Sequence, residues 1–145
     1  MRKILGCVAA VAALAACSQQ PATPPAPTQA ELVSRGQYLV NSIGGCNDCH
    51  TPMTLQGPDM AHALQGATIP FRLTAQLEGH IPWAPVSVPL AGGPAGYTDE
   101  QFVHFLMTGE TAHGGPATPP MPQYRMNEED ARAVVAYIKT VPRAQ

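Results

Sequence analysis

The sequence predicts an all-α domain. Three segments place apolar residues at every third or fourth position, which is the spacing of one helix face. Each segment begins at a residue type that caps helices and ends at glycine or proline. The chain between about residues 50 and 97 is rich in proline and glycine and has no sustained period, which indicates loops. The first and last helices are expected to cross.

Residues 1–16 predict a lipoprotein signal peptide. Arg2 and Lys3 form a positive start, and Ile4–Ala13 form an apolar stretch that is too short to span a bilayer. Leu14-Ala15-Ala16-Cys17 resembles a bacterial lipobox, in which the cysteine is lipidated and becomes the new N-terminus. The alternative is an ordinary signal peptide that is cleaved after an alanine, with the cysteine incidental.

Residues 17–28 are expected to form a tether that begins at the lipidated Cys17. Ser18–Thr28 is uncharged and rich in proline, so it should run as an extended spacer of about 3 Å per residue. The domain at residues 29–145 would then lie about 30 Å from the lipid surface. Export predicts the periplasmic side of a bacterial membrane, and Ser18 favours the outer membrane because inner-membrane lipoproteins often carry Asp there.

The first helix is predicted over residues 29–42, with Thr28 as its N-cap and Gly44-Gly45 as its end. Gly36 lies in the middle of this helix, where it costs about 1 kcal/mol relative to alanine. A close crossing by another helix would explain the glycine. The spacing that predicts the helix is that of Leu32, Gly36, Leu39, Val40 and Ile43.

Cys46-Asn47-Asp48-Cys49-His50 is a C-x-x-C-H run, which is typical of covalent c-type haem attachment. Two thiols on one helical turn can reach both vinyl groups of one haem, and His50 can supply the proximal imidazole. Two alternatives are half of a four-ligand zinc site and a thioredoxin-like redox pair. The zinc site would need a second cysteine pair, and the redox pair would need a βαβ pattern. With Cys7 removed and Cys17 lipidated, no cysteine remains for a disulfide.

The segment between the haem motif and Tyr97 is expected to wrap the cofactor, with one short helical piece near Met60–Leu64. A loop of this length normally counts against an assignment, but a large prosthetic group could supply the apolar surface that it needs. A backbone carbonyl near Pro52 is expected to accept the His50 Nδ1–H. Four aromatic residues are expected around the haem: Phe71, Trp83, Tyr97 and Phe102. Arg72 and Trp83 are candidates for a propionate.

Two further helices follow. Thr98 and Gln101 predict a capping box, and Gly109 predicts the end of that helix. Asn127 caps the last helix, Pro142 stops it, and three acids lie in its first turn, where they favour the helix dipole. The inner faces are Phe102, Phe105 and Leu106 in the first of these helices, and Ala131, Val134, Val135, Ile138 and Val141 in the second, with Tyr137 beside them.

Met121 is the predicted sixth ligand of the haem iron. It lies in the run Pro119-Pro120-Met121-Pro122, where the flanking prolines deny it helix and strand. A rigid loop suits a weak thioether ligand, because little entropy is lost on coordination. The alternative is a methionine that fills a gap in the core. Candidates that are placed less well are Met53, Met107, Met126, His62, His80, His104 and His113.

Over about residues 29–143 the chain resembles class I cytochromes c, especially the cytochrome c subunits that partner membrane-bound bacterial dehydrogenases. The resemblance implies a class I fold in which Gly36 packs against the Tyr137 helix. There are two departures: one haem motif where those subunits commonly have three, and Pro85–Pro89 in place of an Asn-Ile-Thr-Pro segment. The residues that carry the resemblance are Arg35–Val40, Gly45–Pro52, Pro119–Pro122, Glu129–Asp130 and Ala136–Ile138.

The resemblance and the single motif imply a carrier of one electron at a time, with one covalent haem c and no catalytic residues. The implied partners are a dehydrogenase that donates electrons and an oxidase or another cytochrome that accepts them. Without Arg2 and Lys3, six basic residues face ten acidic residues, a net charge near −4 that argues against nucleic acid. That charge is compatible with a redox partner whose docking face is positive. The alternative function is a haem enzyme or a gas or peroxide sensor with a displaceable sixth ligand.

Overall fold

Four α-helices and one short hairpin form residues 25–144, the part of the chain that the computed structural model describes. The helices are α1 (Gln29–Tyr38), α2 (Cys46–His50), α3 (Asp99–Thr108) and α4 (Glu128–Ile138), and the hairpin pairs β1 (Met53–Thr54) with β2 (Gly57–Pro58). None of the helices within these residues is long and apolar enough to cross a membrane. The predicted signal peptide, Cys17 and most of the tether lie outside the described residues.

α1 begins as the sequence predicts and ends differently. The Thr28 hydroxyl accepts the Glu31 N–H, and the Glu31 carboxylate accepts the Thr28 N–H at 2.7 Å, so both halves of a capping box are present. The helix was expected to reach Ser42, but it becomes a π-helical turn at Leu39–Ile43, where the Gly44 N–H bonds to the Leu39 carbonyl at 2.7 Å. This wider turn is compatible with the burial of two consecutive apolar residues, Leu39 and Val40.

The crossing of α1 and α4 at Gly36 is confirmed. A Cβ atom built on Gly36 would overlap the Ala133 carbonyl and would lie 2.7 Å from Tyr137 Cβ. Arg35 pairs with Asp130 at 2.9 Å on one side of the contact, and Tyr137 accepts a hydrogen bond from Asn41 on the other. The glycine therefore lets the two backbones touch.

The caps of α3 and α4 are also confirmed. Thr98 and Gln101 form the predicted capping box, and Gly109 ends α3 in the left-handed conformation at φ 80°. The Asn127 side chain accepts the Asp130 N–H at 2.7 Å. α4 ends at Ile138, so Val141 lies beyond the helix on whose face it was expected. The buried side chains of the two helices are Phe102, Val103, Phe105, Leu106, Ala131, Ala133, Val134, Val135 and Ile138.

The segment from residue 51 to residue 97 is ordered by long-range backbone hydrogen bonds as well as by its short turns. The predicted helical piece is a single 3-10 turn at Met60–His62. The Leu64 carbonyl accepts the N–H groups of Leu90 and Ala91, and the Ile138 carbonyl accepts the Gly92 N–H at 2.9 Å. These bonds attach the loop to the end of α4 and give its backbone groups partners without regular structure.

Candidate haem-binding site

One cavity of about 620 Å³ brings the predicted ligands together. Cys46, Cys49, His50 and Met121 all line it, although they lie in two segments that are far apart in sequence. The volume is within the range of about 300 to 1,000 Å³ that ligand pockets occupy. Asp48 is the only Asp, Glu, Lys or Arg residue in this lining. Three of the four aromatic residues that were expected near a haem also line the cavity: Phe71, Tyr97 and Phe102.

The two cysteines are set on one turn by the short helix α2. Gly45 starts this helix in the left-handed conformation at φ 59°, and the Asp48 N–H bonds back to its carbonyl at 3.0 Å. Burial raises the pKa of Cys46 to about 11 and also raises the pKa of Cys49. In redox-active C-x-x-C pairs, the pKa of the reactive cysteine is lowered. The raised pKa values of the two thiols disfavour the thioredoxin-like alternative.

The zinc alternative has no support in the described residues. A structural zinc site needs about four nitrogen, sulfur or oxygen ligands from the protein. Within residues 25–144, no three His, Cys, Asp or Glu side chains cluster as metal ligands.

His50 is held by a residue that sequence reasoning did not identify. Its ring is 7% exposed, and its Nδ1 lies 2.7 Å from the Val88 carbonyl. The expected carbonyl near Pro52 is not the partner, because Nδ1 bonds to Val88 in another segment of the chain. Burial lowers the pKa of His50, and the hydrogen bond to Val88 opposes that shift. A neutral ring that donates from Nδ1 keeps the Nε2 lone pair for a metal.

The Pro85–Pro89 segment, which replaces the Asn-Ile-Thr-Pro segment of the similar subunits, supports the haem motif at a second point. The Ser87 hydroxyl donates to the Cys49 carbonyl at 2.6 Å and accepts the Ala67 N–H at 2.9 Å. The Ser87 N–H bonds to the Ala67 carbonyl at 2.8 Å. This segment therefore binds both Cys49 in α2 and Ala67 in the following loop.

A buried polar chain fixes the other side of α2. Asn47, the first residue between the cysteines, donates to the Asn41 side chain at 2.9 Å. Its own side-chain oxygen accepts the Thr51 hydroxyl at 2.7 Å, and that hydroxyl accepts the Leu64 N–H at 2.8 Å. Through Asn41, which bonds to Tyr137, the chain connects the haem motif to the α1–α4 crossing. Nothing in the spacing of Asn47 and Thr51 indicated these contacts.

Met121 is half-buried in a loop that is anchored at several points. The Pro119 carbonyl accepts the Ala84 N–H at 2.7 Å, and the Met126 N–H bonds to the Leu106 carbonyl at 3.2 Å. The Tyr124 hydroxyl donates to the Gly44 carbonyl, and burial raises the pKa of Tyr124 above its usual value. None of the other methionine and histidine candidates lines the cavity: Met53, Met107, Met126, His62, His80, His104 and His113.

Arg72 and Trp83, the propionate candidates, lie outside the main cavity. They line a second, smaller cavity of about 370 Å³ that shares Ile69 and Phe71 with the first. Trp83 packs edge to face on Phe71, with ring centroids 6.0 Å apart. Trp83 therefore lines the adjoining cavity and not the main one, and Phe71 lines both.

The residues around the main cavity fit a covalently bound haem. The two thiols lie on one turn, the imidazole has one nitrogen occupied and one free, and a thioether lies in the same cavity. The remaining wall is mostly apolar and comes from α3, α4 and the loops, as a porphyrin face requires. These are the donor types by which c-type haem is held and ligated.

Comparison with known proteins identifies a family that agrees with this haem site. A sequence profile described as "Cytochrome c" matches residues 33–142. The chain is 33% identical over 116 residues to the fructose dehydrogenase cytochrome subunit of Gluconobacter japonicus, covering 75% of this chain and 22% of that protein. It is 30% identical over 120 residues to the cytochrome c subunit of a quinone alcohol dehydrogenase from Gluconobacter oxydans, covering 76% of this chain and 24% of that subunit.

A third relative is described as a diheme cytochrome. It is a diheme cytochrome c-type protein of Cereibacter sphaeroides, 33% identical over 116 residues, with 74% of this chain and 35% of that protein covered. The chain thus spans only about a fifth to a third of the length of these relatives. Residues 33–142 contain the second half of α1, the other three helices and every residue that lines the cavity. The chain belongs to the cytochrome c family, whose members bind haem c covalently.

Proposed function

We propose that the protein is a single-haem electron carrier that is tethered to a bacterial membrane and faces the periplasm. The observation that carries this proposal is the meeting of Cys46, Cys49, His50 and Met121 in one mostly apolar cavity. Two axial ligands from the protein favour electron transfer, because they leave no open position on the iron for a substrate. The similarity to dehydrogenase cytochrome subunits supports the same role.

The residues of the cavity have separate tasks. Cys46 and Cys49 would hold the porphyrin by thioethers, and His50 Nε2 and the Met121 sulfur would ligate the iron. When bound, the haem supplies one-electron exchange between ferric and ferrous iron. The Val88 carbonyl keeps the imidazole oriented, since it occupies Nδ1 at 2.7 Å. Methionine ligation raises the reduction potential relative to two histidines.

The proposal of a single haem is supported by the motif count. The sequence contains four cysteines, and only Cys46 and Cys49 form a C-x-x-C-H run. The described residues also contain one cavity that is lined by both thiols and an imidazole.

The proposed partners are a membrane-bound dehydrogenase as donor and an oxidase or another cytochrome as acceptor. The relatives' names support the donor class, because two of them are subunits of a fructose and an alcohol dehydrogenase. Five of the ten acidic residues lie in the first turns of α3 and α4, whereas Asp48 is the single acid that lines the cavity. The net charge of the whole chain therefore does not give the charge of the surface around the cavity, where a redox partner would dock.

The proposed anchor is a lipid on Cys17, followed by the Pro-rich tether. Two or more acyl chains give stable membrane attachment, whereas one chain is marginal. Attachment to the same membrane as its partners would raise the effective concentration of the carrier. The support for this proposal is the lipobox-like Leu14–Cys17 run and the composition of Ser18–Thr28.

An optical spectrum of the purified protein tests the proposed function. A pyridine haemochrome assay should find one covalent haem per chain, and the ferrous protein should be low-spin and should not bind added carbon monoxide at neutral pH. Rapid binding of carbon monoxide would overturn the carrier and favour a haem enzyme or a gas sensor. Absence of covalent haem would overturn the assignment of the cavity.

A further inference from the structure

Tyr124 lines the main cavity but belongs neither to the haem-attachment motif nor to the predicted axial ligands. Its half-buried ring lines the main cavity, and its hydroxyl donates a hydrogen bond to the Gly44 carbonyl, 80 residues earlier in the chain. Gly44 comes two residues before Cys46, and Tyr124 comes three residues after Met121. The bond therefore joins the segment of one predicted axial ligand to that of the other.

We propose that Tyr124 is a positioning residue that holds the Met121 loop against the haem-attachment turn, so that Met121 stays in place as the sixth ligand. The inference rests on the proposed function, because it requires Met121 to ligate the iron. It adds a residue to the site that acts through Met121 and does not itself bind the iron.

The geometry around Gly44 supports this role. A Cβ atom built on Gly44 would lie 3.3 Å from Cys46 Sγ and 3.7 Å from the Tyr124 hydroxyl oxygen. The phenol, the glycine and the thiol that would bind haem therefore meet at one point of the wall. Pro122, which has a fixed φ, lies between Met121 and Tyr124, so the link between phenol and thioether is short and stiff.

The other hydrogen bonds of the Met121 loop connect it to parts of the fold other than the haem-attachment turn. The Gln123 side chain bonds to the Thr108 carbonyl at 2.5 Å, and Met126 bonds to Leu106, so both attach the loop to the end of α3. The Pro119 carbonyl attaches the loop to Ala84. Among the described residues 111–126, Tyr124 is the one whose hydrogen bonds reach residues 44–51. Loss of the Tyr124 hydroxyl would release Met121 relative to α2 without detaching the loop from the fold.

Displacement of the sixth ligand by imidazole measures this role directly. The haem-loaded ferric protein is titrated with imidazole, and binding is followed in the visible spectrum. Tyr124→Phe should bind imidazole about two- to tenfold more tightly than the unaltered protein, as the loss of a typical hydrogen bond implies. Thermal unfolding of the same samples reports stability separately.

A second tyrosine provides a matched control. Tyr137 accepts a hydrogen bond from Asn41 at the helix crossing, away from the Met121 loop. Tyr137→Phe should lower the melting temperature and leave the imidazole affinity unchanged.

Met121→Ala separates this inference from the proposed function. If Met121→Ala binds imidazole more tightly but Tyr124→Phe does not, the positioning role is overturned and Met121 remains the ligand. If Tyr137→Phe raises the imidazole affinity as much as Tyr124→Phe, the effect is one of general stability and the positioning role is again overturned. If Met121→Ala leaves the imidazole affinity unchanged, Met121 is not the ligand and both proposals fail.

Discussion

Gly36 of α1 lies directly against the backbone of Ala133 in α4, and no side chain separates the two helices at that point. The contact lies between the Arg35–Asp130 ion pair and the hydrogen bond from Asn41 to Tyr137. A glycine in a helix is normally a cost, so its presence here reflects the closeness of the crossing.

Gly36→Ala is expected to destabilise the protein by about 1 to 3 kcal/mol, as overpacking typically does. The added methyl would overlap a backbone carbonyl that cannot rotate away, and this outweighs the gain of about 1 kcal/mol in helix propensity. Guanidinium unfolding of the haem-loaded protein measures the change. Gln37→Ala on the exposed face of α1 is the control and should change the free energy of unfolding by less than about 0.5 kcal/mol. Equal stability of the Gly36→Ala variant would contradict a close crossing.

Thr51→Val should cost about 1 to 3 kcal/mol of stability, because it leaves the buried Leu64 N–H without a partner. The side chain is 1% exposed, so water cannot replace the lost hydroxyl. Unfolding by guanidinium is again the measurement. Thr74→Val, at an exposed position, is the control. If both variants unfold alike, the polar chain through Asn47 contributes nothing to stability.

Met121→Ala should lower the reduction potential and allow the ferrous protein to bind carbon monoxide, since the thioether ligand is lost. Spectroelectrochemistry and a carbon monoxide difference spectrum measure these two changes. Met126→Leu is the control, because Met126 is also partly buried but does not line the cavity. A spectrum of Met121→Ala that matches the unaltered protein would assign the sixth position to another residue.

Asp48→Asn should speed oxidation of the ferrous protein by hexacyanoferrate(III) about two- to tenfold at low salt, because a negative charge is removed at the cavity. Glu129→Gln removes the same charge from the first turn of α4 and should change the rate much less. At about 0.5 M salt, where the Debye length is only a few ångströms, the two variants should react alike. Stopped-flow absorbance measures the rates. Equal effects of the two substitutions at low salt would show that the cavity is not where electrons leave.

Cys17→Ser should move the protein from the membrane fraction to the soluble periplasmic fraction, because the proposed lipid would be attached through the Cys17 thiol. Fractionation and immunoblotting measure the distribution, and the haem spectrum of the variant shows that the domain still folds. Ser18→Ala is the matched control and should remain in the membrane fraction. Membrane retention of Cys17→Ser would contradict the proposed anchor.

Features with a local cause were predictable from the sequence. Thr28, Thr98 and Asn127 cap their helices because the partner N–H groups lie only three residues away. Gly36 was predictable for a different reason: its cost within a helix requires a compensating contact, and an apolar helix at the other end of the sequence could supply one.

Two distant contacts of the site were not predictable. The Val88 carbonyl reaches His50 across 38 residues, and the Tyr124 hydroxyl reaches Gly44 across 80. A backbone carbonyl has no side-chain signature, and a tyrosine near a helix start reads as ordinary core packing. The same holds for Phe71, which lines both cavities, and for Trp83, which lines only the smaller one.

The α1–α4 crossing also has a consequence for how the chain folds. The contacts Arg35–Asp130 and Asn41–Tyr137 span 95 and 96 residues, so almost the whole domain lies within the loop that they close. Closing so long a loop costs entropy before any of its contacts repay it, and folding that depends on such contacts is slow. α1 therefore cannot cover its apolar face until the last helix has been synthesised.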